Sequence, residues 1–242
     1  MSDIKPLQIQ YIVLKEEFKK YPKNYPFNVP LIKKFKKLTF NMPVTFIIGE
    51  NGTGKSTLLE AIAISFGFNA EGGTKNFNFK TKETHSEFYE YLRIGKSYNI
   101  AKEGFFLRAE SFYNVASYID ELGLQRSYGG KSLHRQSHGE SLLSLLGSRN
   151  GNGLYILDEP ESALSPMKLL NLLVIIDDLV KNNSQFIIST HSPILMAYPK
   201  AEIYEVYDGK LFLTEYHKTN HYAITKYFMQ NYKKMINDLG IE

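Results

Sequence analysis

The 242-residue chain contains no cysteine and no tryptophan. The missing thiols exclude a disulfide framework and any thiolate metal site, and they fit a reducing cytoplasm. No apolar run approaches the ~18 residues that a membrane span needs, and the N-terminus shows no signal-peptide core. An action at a membrane is therefore expected to pass through a partner rather than by insertion. Charge excess is also small, at +4, but it is uneven. Residues 1–40 carry nine lysines against Asp3, Glu16 and Glu17, in the groups Lys15/Lys19/Lys20/Lys23 and Lys33/Lys34/Lys36/Lys37. Such groups serve either as solvated strand edges that discourage edge pairing or as phosphate contacts for a nucleic acid.

What is present is the composition of an ordinary folded protein, 43% hydrophobic and 22% charged, of a length for one core with a subsidiary lobe. Leu7–Lys15 begins with alternation and predicts a strand; Leu38–Phe40 and Val44–Ile48 predict two more around Pro43. Ser56–Phe66 has helical spacing closed by Gly67. Residues 68–104 read as loops with at most one helix, followed by a helix over Glu110–Leu122 and a polar stretch to residue 136. Gly153–Leu157 and Gln185–Ser189 read as buried strands. Pro166–Val180 between them reads as a helix capped by Ser165, and a hairpin is expected around Asp208-Gly209. Strands alternating with helices predict an α/β fold with a mostly parallel sheet, flanked by helices, and antiparallel strands near each end.

Gly49–Ser56, GENGTGKS, satisfies G-x-x-x-x-G-K-[ST] between the strand VTFII and a helix. Gly49, Gly52 and Gly54 allow the backbone N–H groups of Asn51, Thr53 and their neighbours to face one anionic centre. The helix start at Lys55, Ser56 and Thr57 adds its dipole. Lys55 supplies a point charge to the β- and γ-phosphates, and the Ser56 hydroxyl is a Mg²⁺ ligand. Asp158, at the end of LYIL, falls at the carboxyl edge of the sheet, where it can hold Mg²⁺; Glu159 beside it can polarise an attacking water. A helix-start acidic pair is the plainer reading of the same DEPES. His191 follows the strand QFIIS, 33 residues and one crossover after Asp158. That spacing can make the two strand ends neighbours and bring the imidazole to the γ-phosphate or the water; the plainer alternative is a core histidine.

With these four segments in order, the chain resembles the ABC-class ATPases. GENGTGKST looks like their Walker A, LYILDEPES their Walker B with its catalytic glutamate, and STHSP their switch-histidine loop. QSHGES, whose Ser137 lies 21 residues before Asp158, stands where that family carries its signature. FFLRAESF, SHGES and DEPE together are similar to small stand-alone AAA/ABC-type P-loop ATPases without a transmembrane part, closer to RecF and chromosome-maintenance ATPase heads than to transporter subunits. The resemblance implies a single ATPase domain over 1–242, with a helical, signature-bearing lobe at about 68–136. It implies ATP and Mg²⁺ as ligands and an ATP-dependent head-to-tail homodimer, with a DNA or protein effector and a cytoplasmic location.

By that resemblance Glu159, His191 and Lys55 are catalytic. Ser137 and Gly139 touch the γ-phosphate bound to a second copy, and Glu140 stands where relatives have Gln. The loop that offers Gln in the family reads Ala109-Glu110-Ser111 here, and His138 replaces a signature glycine. Tyr25 or Phe27 falls where transporter relatives place an adenine-stacking aromatic. A transporter subunit and an ATP-gated scaffold with negligible hydrolysis are the alternatives. Nucleophilic catalysis by Ser137 or Ser141 lacks a G-x-S-x-G elbow. His217 and His221, spaced i,i+4, lack the H-E-x-x-H of a helical zinc site, so a surface or packing role is the expectation for both.

Overall fold

The computed structural model describes residues 7–15, 25–74, 86–98, 101, 103–108 and 138–241. Its main sheet has six strands, and the fully buried ones lie at its centre. The strands are β3 (Val44–Ile48), β5 (Glu103–Leu107), β6 (Gly153–Asp158), β7 (Gln185–Ser189), β8 (Ala201–Tyr207) and β9 (Lys210–Thr214), in the order β5-β6-β7-β3-β8-β9. All pairings are parallel except β8–β9, the hairpin expected from Asp208-Gly209. Both turn residues have positive φ, 45° and 66°, which is the backbone that a two-residue primed turn needs. Every residue of β3, β6 and β7 is buried, as expected for parallel strands covered on both faces.

A second, antiparallel sheet has the order β2-β1-β4, from β1 (Ile9–Leu14), β2 (Lys37–Thr39) and β4 (Leu92–Lys96). A short helix α1 (Pro30–Lys34) precedes β2. Helix α2 (Lys55–Phe66) is apolar nearly all round, because it is buried between the two sheets. Leu58, Leu59, Ala61 and Ile62 share one core with Ile9, Ile12 and Leu38 on one side and Ile47, Ile156 and Ile187 on the other. The opposite face of the main sheet, with Phe46, Tyr155 and Phe186, is covered by α3 (His138–Gly147) and α4 (Pro166–Lys181). Ser165 caps α4 as expected, accepting from Lys168 N.

The described part of 68–104 differs from the loops expected there, and β5 runs on to Leu107 through residues to which the sequence assigns no element. This segment holds a 3₁₀ turn at Glu87–Tyr91 and contributes β4 to one sheet and β5 to the other. Neither strand has turn residues framing it. LRIGK and EGFFL are five-residue segments whose strand identity comes from partners far along the chain, Ile9–Leu14 and Gly153–Leu157. The expected helix at 110–122, and with it most of the 68–136 lobe, lies outside the described residues.

After β7 come α5 (Pro193–Met196) and, beyond the hairpin, α6 (Asn220–Asp238). The sequence reading assigns no element to this last segment. Helix α6 has no buried residue, so no core-facing stripe marks it. Among the described residues no helix is long and apolar enough to cross a membrane.

Candidate functional site

The phosphate loop leaves β3 at Gly49 and enters α2 at Lys55. Gly49 has φ 142°, and a Cβ there would lie 3.0 Å from both Val206 Cβ and Val206 O on β8. Gly54, at φ 106°, would bring a Cβ to 2.7 Å from Val29 Cγ1. Glycine is therefore needed at both ends of the loop for backbone angle and for space. The loop is braced from outside by Leu31 N donating to Thr53 O at 3.1 Å, and from within by Thr53 Oγ1 donating to Glu50 O at 2.8 Å.

Lys55 is 4% exposed and its Nζ donates to Gly49 O at 2.7 Å and Glu50 O at 3.0 Å. Burial holds its ammonium below the usual lysine range, against the opposing pull of Glu159, Asp158, Glu50 and Glu161. A cavity of about 420 Å³ opens over the loop. It is lined by Asn51, Gly52, Lys55 and Ser56 of the loop and helix start and by Asp158 and Glu159 at the end of β6.

The spacing argument for Asp158 and His191 is realised by the register. β6 and β7 are adjacent and parallel, with Asp158 opposite Ser189, so both residues emerge at the same carboxyl edge. The Asp158 carboxylate is buried. Its Oδ1 accepts from Ser56 Oγ at 3.2 Å and from Ser189 Oγ. Burial pushes its pKa up, the two hydroxyls draw it down, Glu159 adds to the rise and Arg108 opposes it.

A carboxyl whose folded pKa is raised costs stability once the pH exceeds its unfolded value, and that cost disappears at more acidic pH. Asp158→Asn keeps an oxygen for both hydroxyls. It is expected to raise the unfolding temperature of the nucleotide-free protein at pH 7, by about 2–4 °C for each kcal/mol gained. The gain should shrink as the pH falls into the acidic range. Calorimetry at neutral and acidic pH checks this; a lower midpoint at pH 7 is the contrary result.

Glu159 has a left-handed backbone, φ 47°, a conformation that non-glycine residues adopt at a cost of about 1 kcal/mol or more. Its N–H donates to Ser189 O at 3.1 Å, while its half-buried carboxylate reaches the cavity instead of following Asp158 inward. Two neighbouring acids thus occupy different environments. His191 Nε2 lies 3.4 Å from Glu159 Oε1, an ion-pair distance rather than a formed hydrogen bond, and its backbone N–H donates to Glu161 Oε1.

The oxygens of Ser56 and Asp158 suit a hard divalent cation. Among the described residues no group of three or more His, Cys, Asp or Glu is placed to hold a metal. That donor set fits Mg²⁺ carried in with nucleotide phosphates, because Mg²⁺ takes few protein carboxylates and keeps phosphate and water ligands.

Several participants were not legible in the sequence. Ser189 ends β7 and bonds both acids; Arg108, after β5, pairs with Glu60 at 3.0 Å and acts on Asp158 through its charge. Of the two candidate aromatics, Phe27 is core, packed against Phe88 and Tyr91. Tyr25 is 61% exposed, lines the cavity and lies 3.5 Å from Thr57 Oγ1.

Gly139 and Glu140 do not line this cavity. Gly139 packs where a Cβ would meet Ala163 O at 2.4 Å, and Glu140 pairs with Lys168 at 3.4 Å. Ser137, Ala109, Glu110 and Ser111 lie outside the described residues, as do Lys19, Lys20 and Lys23. Lys34 pairs with Asp208 at 2.8 Å, and Lys37 lies over the Tyr11 ring. His217 and His221 do not share a helical face. His217 sits in a 3₁₀ turn against Tyr216 and Tyr222, and the cap Thr219 separates it from His221 on α6.

A family model described as an AAA domain matches residues 18–142. A second, "AAA domain, putative AbiEii toxin, Type IV TA system", matches residues 141–197. A comparison with curated protein sequences gives no match. Among solved structures, cbiO1 from Clostridium perfringens, part of the ABC transporter complex cbiONQ, is 18% identical at a TM-score of 0.49, covering 97% of this chain and 100% of that one. The SMC head domain from Thermotoga maritima is 17% identical at a TM-score of 0.45, covering 86% and 98%. The first family model spans just over half of the chain and takes in the whole phosphate loop, and the chain accordingly belongs to the AAA-domain family.

Proposed function

We propose that the protein binds Mg-ATP and hydrolyses it to ADP and phosphate, and that two copies close head-to-tail around two nucleotides and reopen afterwards. One observation carries this reading. Lys55, Ser56, Asp158 and Glu159 arrive from the ends of two parallel strands, β3 and β6, at a single phosphate-sized cradle, and His191, from β7 between them, stands 3.4 Å from Glu159 Oε1.

In this reading the loop N–H groups and Lys55 bind the phosphates, with Lys55 exchanging two carbonyls for phosphate oxygens. Ser56 and Asp158 hold the Mg²⁺, which screens the phosphate charge. Glu159 accepts the proton of the attacking water, and His191 Nε2 faces the γ-phosphate. Tyr25 offers a face to the adenine. The closed pair is supported by the position of the signature segment: Gly139 and Glu140 lie away from their own chain's cavity, so a use for them at ATP requires a second copy. The output is a nucleic acid or a protein effector, in the cytoplasm, without membrane insertion.

Release of phosphate from ATP by the purified chain tests the enzymatic half; no release above buffer in the presence of Mg²⁺ overturns it. Tight ATP binding without release would favour an ATP-gated scaffold. The dimer half is tested by Ser137→Arg. This substitution is expected to leave ATP affinity within about twofold and to abolish ATP-driven dimerisation, since a bulky cation would replace the hydroxyl that meets the partner's γ-phosphate. Dimers that still form on addition of ATP would remove Ser137 from that role.

A further inference from the structure

Helix α6 meets the site at one point. His221, its second residue, places Nε2 3.1 Å from His191 Nδ1, with the two rings 5.2 Å apart. The turn carrying His221 is fixed. Thr219 is fully buried, its hydroxyl donates to Tyr216 O at 2.9 Å and accepts from Tyr222 N, and α6 contacts α5 directly after the His191 loop. Beyond this turn the helix buries nothing. Among the described residues, the part of α6 anchored on the fold is thus the part that touches the histidine facing Glu159.

Two imidazoles that share one hydrogen bond have a defined proton order. If His191 Nδ1 donated, its Nε2 would present a lone pair to the Glu159 carboxylate, oxygen against nitrogen lone pair at 3.4 Å. If His221 Nε2 donates, His191 accepts at Nδ1 and carries its proton on Nε2, facing Glu159. Only the second order is electrostatically consistent on both sides of His191. It leaves His221 Nδ1 as a buried acceptor and His191 Nε2–H as a buried donor, neither with a hydrogen-bond partner among the described residues, but the Nε2–H is aimed at the Glu159 carboxylate 3.4 Å away and no unpartnered donor is left beside Lys55. Burial, with His191 and Lys55 contributing, holds His221 below the usual imidazole range and so keeps it neutral, with one ring proton.

We infer that His221 is a positioning residue: by donating Nε2–H to His191 Nδ1 it fixes His191 as the Nε2–H tautomer that can donate to the γ-phosphate. No sequence motif announces this, because His221 lies 30 residues from His191 on a helix of its own. The inference rests on the hydrolysis reading for its consequence but not for its geometry, and the two can fail separately.

The test uses ¹⁵N-labelled full-length protein, nucleotide-free, with the His191 ring signals assigned by their loss in His191→Asn. The wild type should show His191 protonated on Nε2, and His221→Phe, which fills the space but cannot donate, should show a mixture of tautomers. In turnover assays His221→Phe should lower kcat by about tenfold or more with ATP affinity within about twofold, since orienting partners of a functional imidazole typically act on this scale. His221→Gln, whose amide can donate, should recover most of the loss, which a merely structural defect would not allow. A wild-type His191 protonated on Nδ1 overturns the inference, as does an unchanged tautomer in His221→Phe. Equal kcat for His221→Phe and an active wild type does so too. A wild type that releases no phosphate overturns the hydrolysis reading, while the spectra still decide the histidine pair.

Discussion

Glu159→Gln is expected to bind ATP at least as tightly as the wild type and to hydrolyse it about 10²–10⁴-fold more slowly. The side chain keeps its length, so the left-handed turn at φ 47° and the backbone bond to Ser189 O are preserved. Only the carboxylate is lost, and with it the proton acceptor of the proposed reaction. Asp158 cannot substitute. Its Oδ1 is engaged by Ser56 and Ser189 inside the fold, whereas Glu159 is turned outward to the cavity by its positive φ. Affinity should not fall, because the change removes a negative charge from a site that takes polyphosphate. Single-turnover phosphate release and a nucleotide titration check the two parts. Turnover within about threefold of wild type would remove Glu159 from the role of base.

Lys55→Ala should weaken ATP binding by about 100-fold, the scale of losing charge-assisted bonds worth roughly 1.5–3 kcal/mol each. In the structure the ammonium ties Gly49 O and Glu50 O together, holding the loop in the shape that phosphate will fill. A buried base whose folded pKa is lowered favours the unfolded chain when charged, so at pH 7 this lysine does not stabilise the empty protein through its charge. The variant should therefore lose affinity without a matching loss of unfolding temperature. Isothermal titration and calorimetry on the same sample separate the effects; unchanged ATP affinity would contradict the cradle.

The legible parts of this molecule are those where local chemistry and fold agree. GENGTGKS demands glycine where φ reaches 142° and 106°, so its geometry is written in residue types. The crossover from Asp158 through α4 to Ser189 follows from two buried apolar strands separated by one helix length, and the register then delivers His191 to Glu159. β4 and β5 are less legible because they take their strand identity from partners far along the chain, Ile9–Leu14 and Gly153–Leu157. Arg108 reaches the site through tertiary packing that spacing does not encode. His221 is hidden more deeply: it acts from a helix without a buried face, where hydrophobic periodicity gives no signal.

The central claim is that ATP closes two copies of this chain around shared sites. Light scattering on eluting Glu159→Gln protein, with and without Mg-ATP, tests it most directly, because blocked hydrolysis traps whatever assembly ATP drives. The account predicts the mass of one chain without nucleotide and of two chains with it. The mass of one chain under both conditions, at ATP concentrations shown to saturate the site, would contradict it.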